Sequence, residues 1–200
     1  MATYTVDVRS QGPLTLPNTA RAFLEQDQLK IYPIPWEAWY VWDSGARLPN
    51  TSASDDLGFY QGTFAIASPS IRTFDVKTLT TTLYARTSLY LPAEYDAAET
   101  VQIRFFAGMI TTIASSTATI DAQLYESDGQ SGIGADLVTT NPITINSLTF
   151  ANKDFSVTST NLAAGDVLDL RVAIAVTDVA TGTAVIGSFG LAALLLDVKG

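Results

Sequence analysis

Cysteine and histidine are both absent from the 200 residues of this chain. Without cysteine no disulfide can form, so small secreted scaffolds held together by disulfides are excluded. Without histidine the chain lacks the commonest general base, the commonest zinc ligand and the usual partner of a nucleophilic serine. No Walker loop or Gly-x-Gly-x-x-Gly fingerprint occurs. The sequence therefore predicts no cofactor and favours a protein that is not an enzyme.

Charged residues are scarce: Asp, Glu, Lys and Arg make up 16% of the chain, whereas hydrophobic residues make up 47%. The net charge of −9 repels nucleic acid and anionic membranes, so neither is expected as a partner. The longest apolar stretch, Leu191–Leu196, is too short to span a bilayer. A surface with so little charge indicates burial against other protein subunits, and we expect a homo-oligomer.

From Phe59 onward, short apolar runs alternate with turn residues. The run 167–178 shows strict alternation, which is typical of a half-buried strand. The whole pattern predicts about eight to ten strands in an all-β, antiparallel two-sheet sandwich of the jelly-roll type. An immunoglobulin-like sandwich is the alternative, but no tryptophan lies in the predicted strands. We expect Asn161–Val198 to form the central hairpin of the sandwich.

Residues 1–57 differ in composition and predict an extended N-terminal arm in front of a sandwich formed by residues 58–200. The alternation at Tyr4–Val8 predicts a short strand, and Thr19–Lys30 predicts a helix with an N-terminal cap. Residues 43–58 have loop composition throughout, and they mark the boundary between arm and sandwich.

All three tryptophans lie within the short segment Trp36–Trp42. Pro33 and Pro35 exclude a central strand or a helix interior just before it. The segment has three interpretations: an apolar plug over an open end of the sandwich, an aromatic anchor for a partner subunit, and a platform for stacking sugars. The anchor interpretation assigns interface roles to Trp36, Trp39, Tyr40 and Trp42.

Tyr84, Arg86 and Tyr90 lie on one face of a predicted strand. An arginine near aromatic side chains is often part of a subunit contact, so we expect these three residues to form interface contacts as well. Asp169 and Arg171 are two residues apart on one face of a later strand. This spacing predicts an ion pair between Asp169 and Arg171 at a surface or an interface.

Paired carboxylates are the remaining route to catalysis. Asp55 and Asp56 are adjacent, and Glu126 and Asp128 are two apart. A glycosidase needs two carboxyl groups roughly 5–9.5 Å apart in a cleft, and solvated acids in turns are the commoner explanation. Glu126–Gly129 could also supply oxygen ligands to Ca²⁺, but it lacks the residue order of a calcium loop, so no metal is expected.

Three stretches in the second half of the chain resemble a pattern found in small β-sandwich proteins of tailed bacteriophages: Ser147–Phe150, Lys153–Val157 and Leu162–Val172. In that pattern the penultimate strand begins Leu-x-x-Gly-Asp-x-Leu-x-Leu-Arg, and the last strand is a long apolar run. The resemblance covers about residues 97–200. Trimeric jelly rolls of the tumour-necrosis-factor and complement-C1q kind use a similar Leu-x-x-Gly-Asp sequence.

This resemblance implies a structural virion protein of a bacteriophage, of the capsid decoration (cement) or fibre type. As a decoration protein it would be made in the host cytoplasm, form a homotrimer and lie on the head surface. Its partners would be the major capsid protein or other virion subunits. The alternative is a receptor- or carbohydrate-binding module of a fibre or adhesin.

Overall fold

The structure, a computed structural model, describes residues 29–111, 116–127, 134–179 and 184–198. The strand predicted at Tyr4–Val8 and most of the helix predicted at Thr19–Lys30 lie outside these ranges. Within them, no helix is long and apolar enough to cross a membrane, since the helix at Trp36–Ala38 is a single 3-10 turn. Ten strands make up the described structure: β1 Leu29–Ile34, β2 Gly58–Tyr60, β3 Ser70–Arg72, β4 Thr80–Tyr90, β5 Val101–Met109, β6 Ser116–Ser127, β7 Ile143–Thr144, β8 Ala151–Ser156, β9 Val167–Asp178 and β10 Gly187–Asp197.

The strands form two antiparallel sheets that pack face to face. The six-stranded sheet has the order β2-β3-β10-β5-β8, with β1 also paired to β10, and the four-stranded sheet has the order β4-β9-β6-β7. Four antiparallel strand pairs are nested along the chain, each enclosed in sequence by the one before it: β3–β10, β4–β9, β5–β8 and β6–β7. This arrangement is the jelly roll, and it confirms the predicted fold class.

The predicted hairpin of β9 and β10 is wrong, because these two strands lie in different sheets. β9 is hydrogen-bonded between β4 and β6, and β10 lies between β5 on one side and β1 and β3 on the other. Both strands already have neighbours on both edges, so neither can pair with the other. The alternation predicted for β9 is correct, and its inward residues are buried: Leu168, Leu170, Val172, Ile174 and Val176.

An aromatic cluster fills the core between the sheets. The ring of Phe105 lies 6.1 Å from Trp39, 5.9 Å from Phe155 and 5.2 Å from Phe189 between centroids. All four side chains are almost completely buried. Large rings of this kind contribute much of the apolar area that stabilises a domain.

Residues 29–57, placed in the arm by the sequence pattern, pack along the sandwich in the structure. β1 pairs with β10 over its whole length. Further on, the Tyr40 amide donates to the Arg86 carbonyl at 2.8 Å, and the Leu57 amide donates to the Tyr84 carbonyl at 2.9 Å. The segment therefore runs from one sheet to the other and covers the outer edge of β4, which would otherwise expose unpaired backbone groups.

Glu94 fastens β1 to the turn that follows β4. The Lys30 ammonium donates to Glu94 Oε1 at 2.7 Å, and the Tyr32 hydroxyl donates to the same oxygen at 2.8 Å. These hydrogen bonds, that of Lys30 first, lower the pKa of Glu94 from its ordinary value of 4.5 to about 2.

We expect the substitution Lys30→Met to raise the pKa of Glu94 towards 4.5. Because the folded-state pKa is depressed, the stability that Glu94 contributes is fully present above pH 4.5 and is lost as the pH falls towards about 2. The variant should therefore lose less stability than the wild type across that pH window. NMR titration of the Glu94 carboxyl measures the pKa directly, and acid unfolding measures the stability.

Lys77→Met is the matched control for this prediction, since Lys77 forms its own surface pair with Asp75 at 3.2 Å. The control should leave the Glu94 titration unchanged. An unaltered Glu94 pKa in Lys30→Met would contradict the proposed cause of the shift.

Candidate functional site

The outer face of the four-stranded sheet carries a group of polar and aromatic side chains. In the register of β4, β9 and β6, Tyr84, Ala173 and Asp121 form one row across the sheet. The next row contains two arginines and a glutamine. We call this surface the polar face, and it comprises Tyr84, Arg86, Asp121, Gln123, Asp169 and Arg171. The small Ala173 lies between Tyr84 and Asp121 in this row.

Arg86 and Asp169 form a bidentate ion pair on this face. Arg86 Nε donates to Asp169 Oδ1 at 2.6 Å, and Arg86 Nη2 donates to Asp169 Oδ2. The Asp169 side chain is 12% exposed and the Arg86 side chain is 50% exposed. The hydrogen bonds to Asp169 raise the pKa of Arg86, so the guanidinium stays charged.

The ion pair predicted between Asp169 and Arg171 is wrong. In the β4–β9 register Arg86 is a diagonal neighbour of Asp169, a separation that the long arginine side chain spans, while Arg171 forms its hydrogen bonds with Gln123 on β6. Asp169 therefore pairs with Arg86 across the β4–β9 ladder, and Arg171 points to β6.

Arg171 has no carboxylate partner among the described residues. Its guanidinium lies 4.9 Å from the ring centre of Tyr84 and 5.3 Å from that of Trp42. Its Nε donates to Gln123 Oε1 at 2.9 Å, and its Nη2 donates to the same oxygen. A guanidinium has five N–H donors, so two bonds to one amide oxygen leave about three donors for another partner.

Trp42, in the segment between β1 and β2, lies at the edge of the polar face. Its indole Nε1 donates to Asp55 Oδ2 at 3.1 Å, and its ring centre lies 5.2 Å from that of Tyr84. Asp55 is exposed, while burial, together with the charges of Asp55 and Asp43, raises the pKa of Asp56. The aromatic pair is thus flanked by carboxylates that can accept hydrogen bonds.

Asp121 is the carboxylate on the opposite side of Ala173 from Tyr84. Burial raises its pKa, while the Ala122 amide, which donates to Asp121 Oδ1 at 2.9 Å, acts in the other direction. The charge of Arg171 also acts to lower this pKa, so the two side chains share one electrostatic environment. Asp121, Arg171 and Gln123 therefore present hydrogen-bond donors and acceptors next to one another.

The described part of the chain contains no group of three or more acidic residues that could hold a metal ion. Glu126 is exposed near the end of β6. Asp128 and Gly129 lie outside the described residues, so the predicted Glu126–Asp128 carboxylate pair and the cation considered there stay untested.

The three tryptophans occupy different environments. Trp36 Nε1 donates to the Gly190 carbonyl at 2.6 Å, where the register of β10 shifts, and its ring stacks on Phe59. Trp39 is 2% exposed and belongs to the core, so this residue cannot contact a partner in this fold. Trp42 lies on the other side of the sandwich, beside the polar face.

Of the other residues with predicted interface roles, Tyr84 and Arg86 lie on the polar face. Tyr40 is 40% exposed at the edge of β4, and Tyr90 is 70% exposed at its end. Their contacts with partners remain predictions. Sequence reasoning missed Gln123 as a partner of Arg171. The polar positions that alternate with Ala122 and Leu124 in β6 were the available signal.

No family model and no curated protein matches the sequence, but several solved structures are similar to this chain. The xylan-binding module CBM15 aligns at 14% identity and a TM-score of 0.43, over 86% of this chain and 99% of that one. TmCBM61, solved with β-1,4-galactotriose, aligns at 12% identity and a TM-score of 0.36, over 84% and 88% of the two chains.

A bacteriophage protein is also among the similar structures. The enzymatically active domain of tailspike protein 4 from bacteriophage CBA120 aligns at 12% identity and a TM-score of 0.37. The match covers 72% of this chain and 18% of the tailspike chain. At such low identity and TM-score, no ligand and no site can be transferred from these proteins, and functional inference rests on the chain's own residues.

Proposed function

We propose that this chain is a non-catalytic carbohydrate-binding module and that the polar face, together with Trp42, forms its binding site. The observation that carries the proposal is Arg171. Its guanidinium lies over two aromatic rings, is hydrogen-bonded to a neutral amide and forms no salt bridge with a carboxylate of the described residues. Such a group is held in place and still has donors to offer.

The chemistry of the face suits a sugar. A pyranose ring presents an apolar C–H surface and a rim of hydroxyl groups that both donate and accept hydrogen bonds. Trp42 and Tyr84 supply ring surface, Arg171 supplies donors, and Asp55 and Asp121 supply acceptors. A ligand with many weak, paired polar contacts on a shallow face needs this mixture of groups.

Charge argues for a neutral sugar. On the polar face Asp169 neutralises Arg86, Asp121 lies within electrostatic reach of Arg171, Asp55 is hydrogen-bonded to Trp42, and the whole chain carries a net charge of −9. This field repels uronates and sulfated sugars. We therefore expect neutral polysaccharides to bind in preference to acidic ones.

The test is binding of the purified chain to a glycan array that includes neutral xylan and β-1,4-galactan and an acidic polyuronate. We expect binding to at least one neutral glycan, and Arg171→Ala should weaken it by roughly 10- to 100-fold, as removal of charge-assisted hydrogen bonds does. The matched control is Arg104→Ala, since Arg104 forms a bidentate pair with Asp154 on the other sheet. The control should bind normally.

Two outcomes would overturn the proposal. One is an absence of binding to every glycan on the array, and the other is equal binding by Arg171→Ala and the wild type. Release of soluble sugar from a bound glycan would instead favour the glycosidase alternative, with Asp55 and Asp56 as the first carboxylates to replace.

A second candidate function is the structural virion protein, either a capsid decoration protein or a fibre module. It is favoured by large apolar side chains that this fold leaves exposed, among them Phe64 at 98% and Ile66 at 82%. Mass spectrometry and antibody labelling of purified virus particles from the source of the sequence would test it. A fibre module that binds a glycan receptor would satisfy both candidates.

A further inference from the structure

The loop between β2 and β3, residues 61–69, presents two apolar side chains to solvent. Phe64 is 98% exposed and Ile66 is 82% exposed, the two highest values among the large hydrophobic side chains of the described residues. The stretch from Gly58 to Ile71 contains no charged residue. A loop tip of this composition is costly to leave in water, so it indicates a contact surface.

The loop is held in one shape by its own backbone. The amides of Ile66 and Ala67 both donate to the Thr63 carbonyl at 2.9 Å. Gly62 has a φ of +71°, and a Cβ there would lie 2.4 Å from the Ala67 carbonyl oxygen, so only glycine fits. Because the turn is already formed, docking its two side chains costs little additional conformational entropy.

The same chain carries a surface suited to receive this loop. On the outer face of the six-stranded sheet, Phe106 and Leu191 are direct cross-strand neighbours, 39% and 60% exposed. The Phe150 ring lies against Phe106 with centroids 5.6 Å apart. We call Phe106, Phe150 and Leu191 the outer patch. Two residues further along the same strands, Arg104 on β5 and Asp154 on β8 neutralise each other in a bidentate pair.

We propose that the 61–69 loop of one copy of this chain docks on the outer patch of a second copy. The two surfaces match in chemistry, since each is apolar and neither carries net charge. Anionic membrane is a poor alternative partner, because the loop contains no basic residue and the chain is acidic. The contact joins two different surfaces, so each subunit can give one loop and receive another, and the assembly can close into a ring.

The experiment is light scattering coupled to size-exclusion chromatography on the full chain and two variants. The loop variant carries Phe64→Ser and Ile66→Ser, and the patch variant carries Leu191→Lys. We expect the wild type to be oligomeric. Each variant should weaken self-association by at least about tenfold, which is the effect of losing one or two buried apolar side chains. Leu79→Ser, an exposed leucine outside both surfaces, is the matched control and should assemble like the wild type.

Mixing the two variants is the sharper test. The loop variant has an intact patch, and the patch variant has an intact loop, so an equimolar mixture should form a 1:1 heterodimer that neither variant forms alone. A monomeric wild type, an unchanged oligomer in either variant, or a mixture that stays monomeric would each overturn the proposal. Both surfaces lie outside the core, so we expect the isolated variants to fold. Their melting temperatures check this.

Discussion

Trp39→Ala should destabilise the protein by about 3–5 kcal/mol, the cost of deleting a large buried aromatic side chain. The indole is 2% exposed and lies 5.4 Å from the Phe189 ring centre and 6.1 Å from that of Phe105. Its removal leaves a cavity among the packed rings of the core, and these rings relax only partially to fill it. In a domain of this size we expect the melting temperature to fall by about 2–4 °C per kcal/mol.

Trp42→Ala is the matched control for this prediction, since it removes the same side chain three residues later. Trp42 is partly exposed and lies on the surface of the four-stranded sheet, so its loss should cost less than about half as much. Urea or thermal unfolding of both variants measures the difference. Equal destabilisation by the two substitutions would contradict the placement of Trp39 in the core, and with it the plug interpretation for this residue.

Arg86→Ala is expected to have the second largest effect on stability, about 1–3 kcal/mol. It leaves the Asp169 carboxylate 12% exposed and without its bidentate partner. Asp169→Ala should cost less than about 1 kcal/mol, because the remaining Arg86 side chain is 50% exposed and water can solvate it. The prediction is therefore an asymmetry between the two partners of one ion pair.

The double variant Arg86→Ala with Asp169→Ala tests whether the unpaired Asp169 carboxylate is the cause of the destabilisation. Removing both partners should be less destabilising than Arg86→Ala alone, since no buried charge is left unpaired. Arg104→Ala is the geometric control, because Arg104 forms an equally bidentate pair with Asp154, whose side chain is 39% exposed. A control as destabilising as Arg86→Ala would show that burial of the carboxylate is not the cause.

Much of the fold could be predicted from local patterns. The alternation in β9 gave its inward residues correctly, and the number and spacing of apolar runs indicated a jelly roll. The error was the pairing of β9 with β10, two adjacent runs that belong to different sheets. Alternation reports which face of a strand is buried. It carries no information about which strand lies beside it.

The candidate site shows the same division. Alternation predicts Tyr84 and Arg86 as residues on one face of a strand, and the structure places them so. Local pattern does not predict the partners of Arg171, because Gln123 is 48 residues away in the sequence and Trp42 belongs to another segment. Only the order β4-β9-β6 brings these side chains onto one face.

Composition and alternation are local properties, so they are enough to predict the all-β class and to exclude chemistry based on cysteine and histidine. The tertiary structure decided which of three neighbouring tryptophans is buried and which arginine is neutralised by a carboxylate. Those outcomes depend on contacts of about 5 Å between residues far apart in the chain, which sheet order sets and local pattern does not. The same sheet order leaves Arg171 on the polar face without a carboxylate partner in the described structure, and the proposed carbohydrate site rests on that residue.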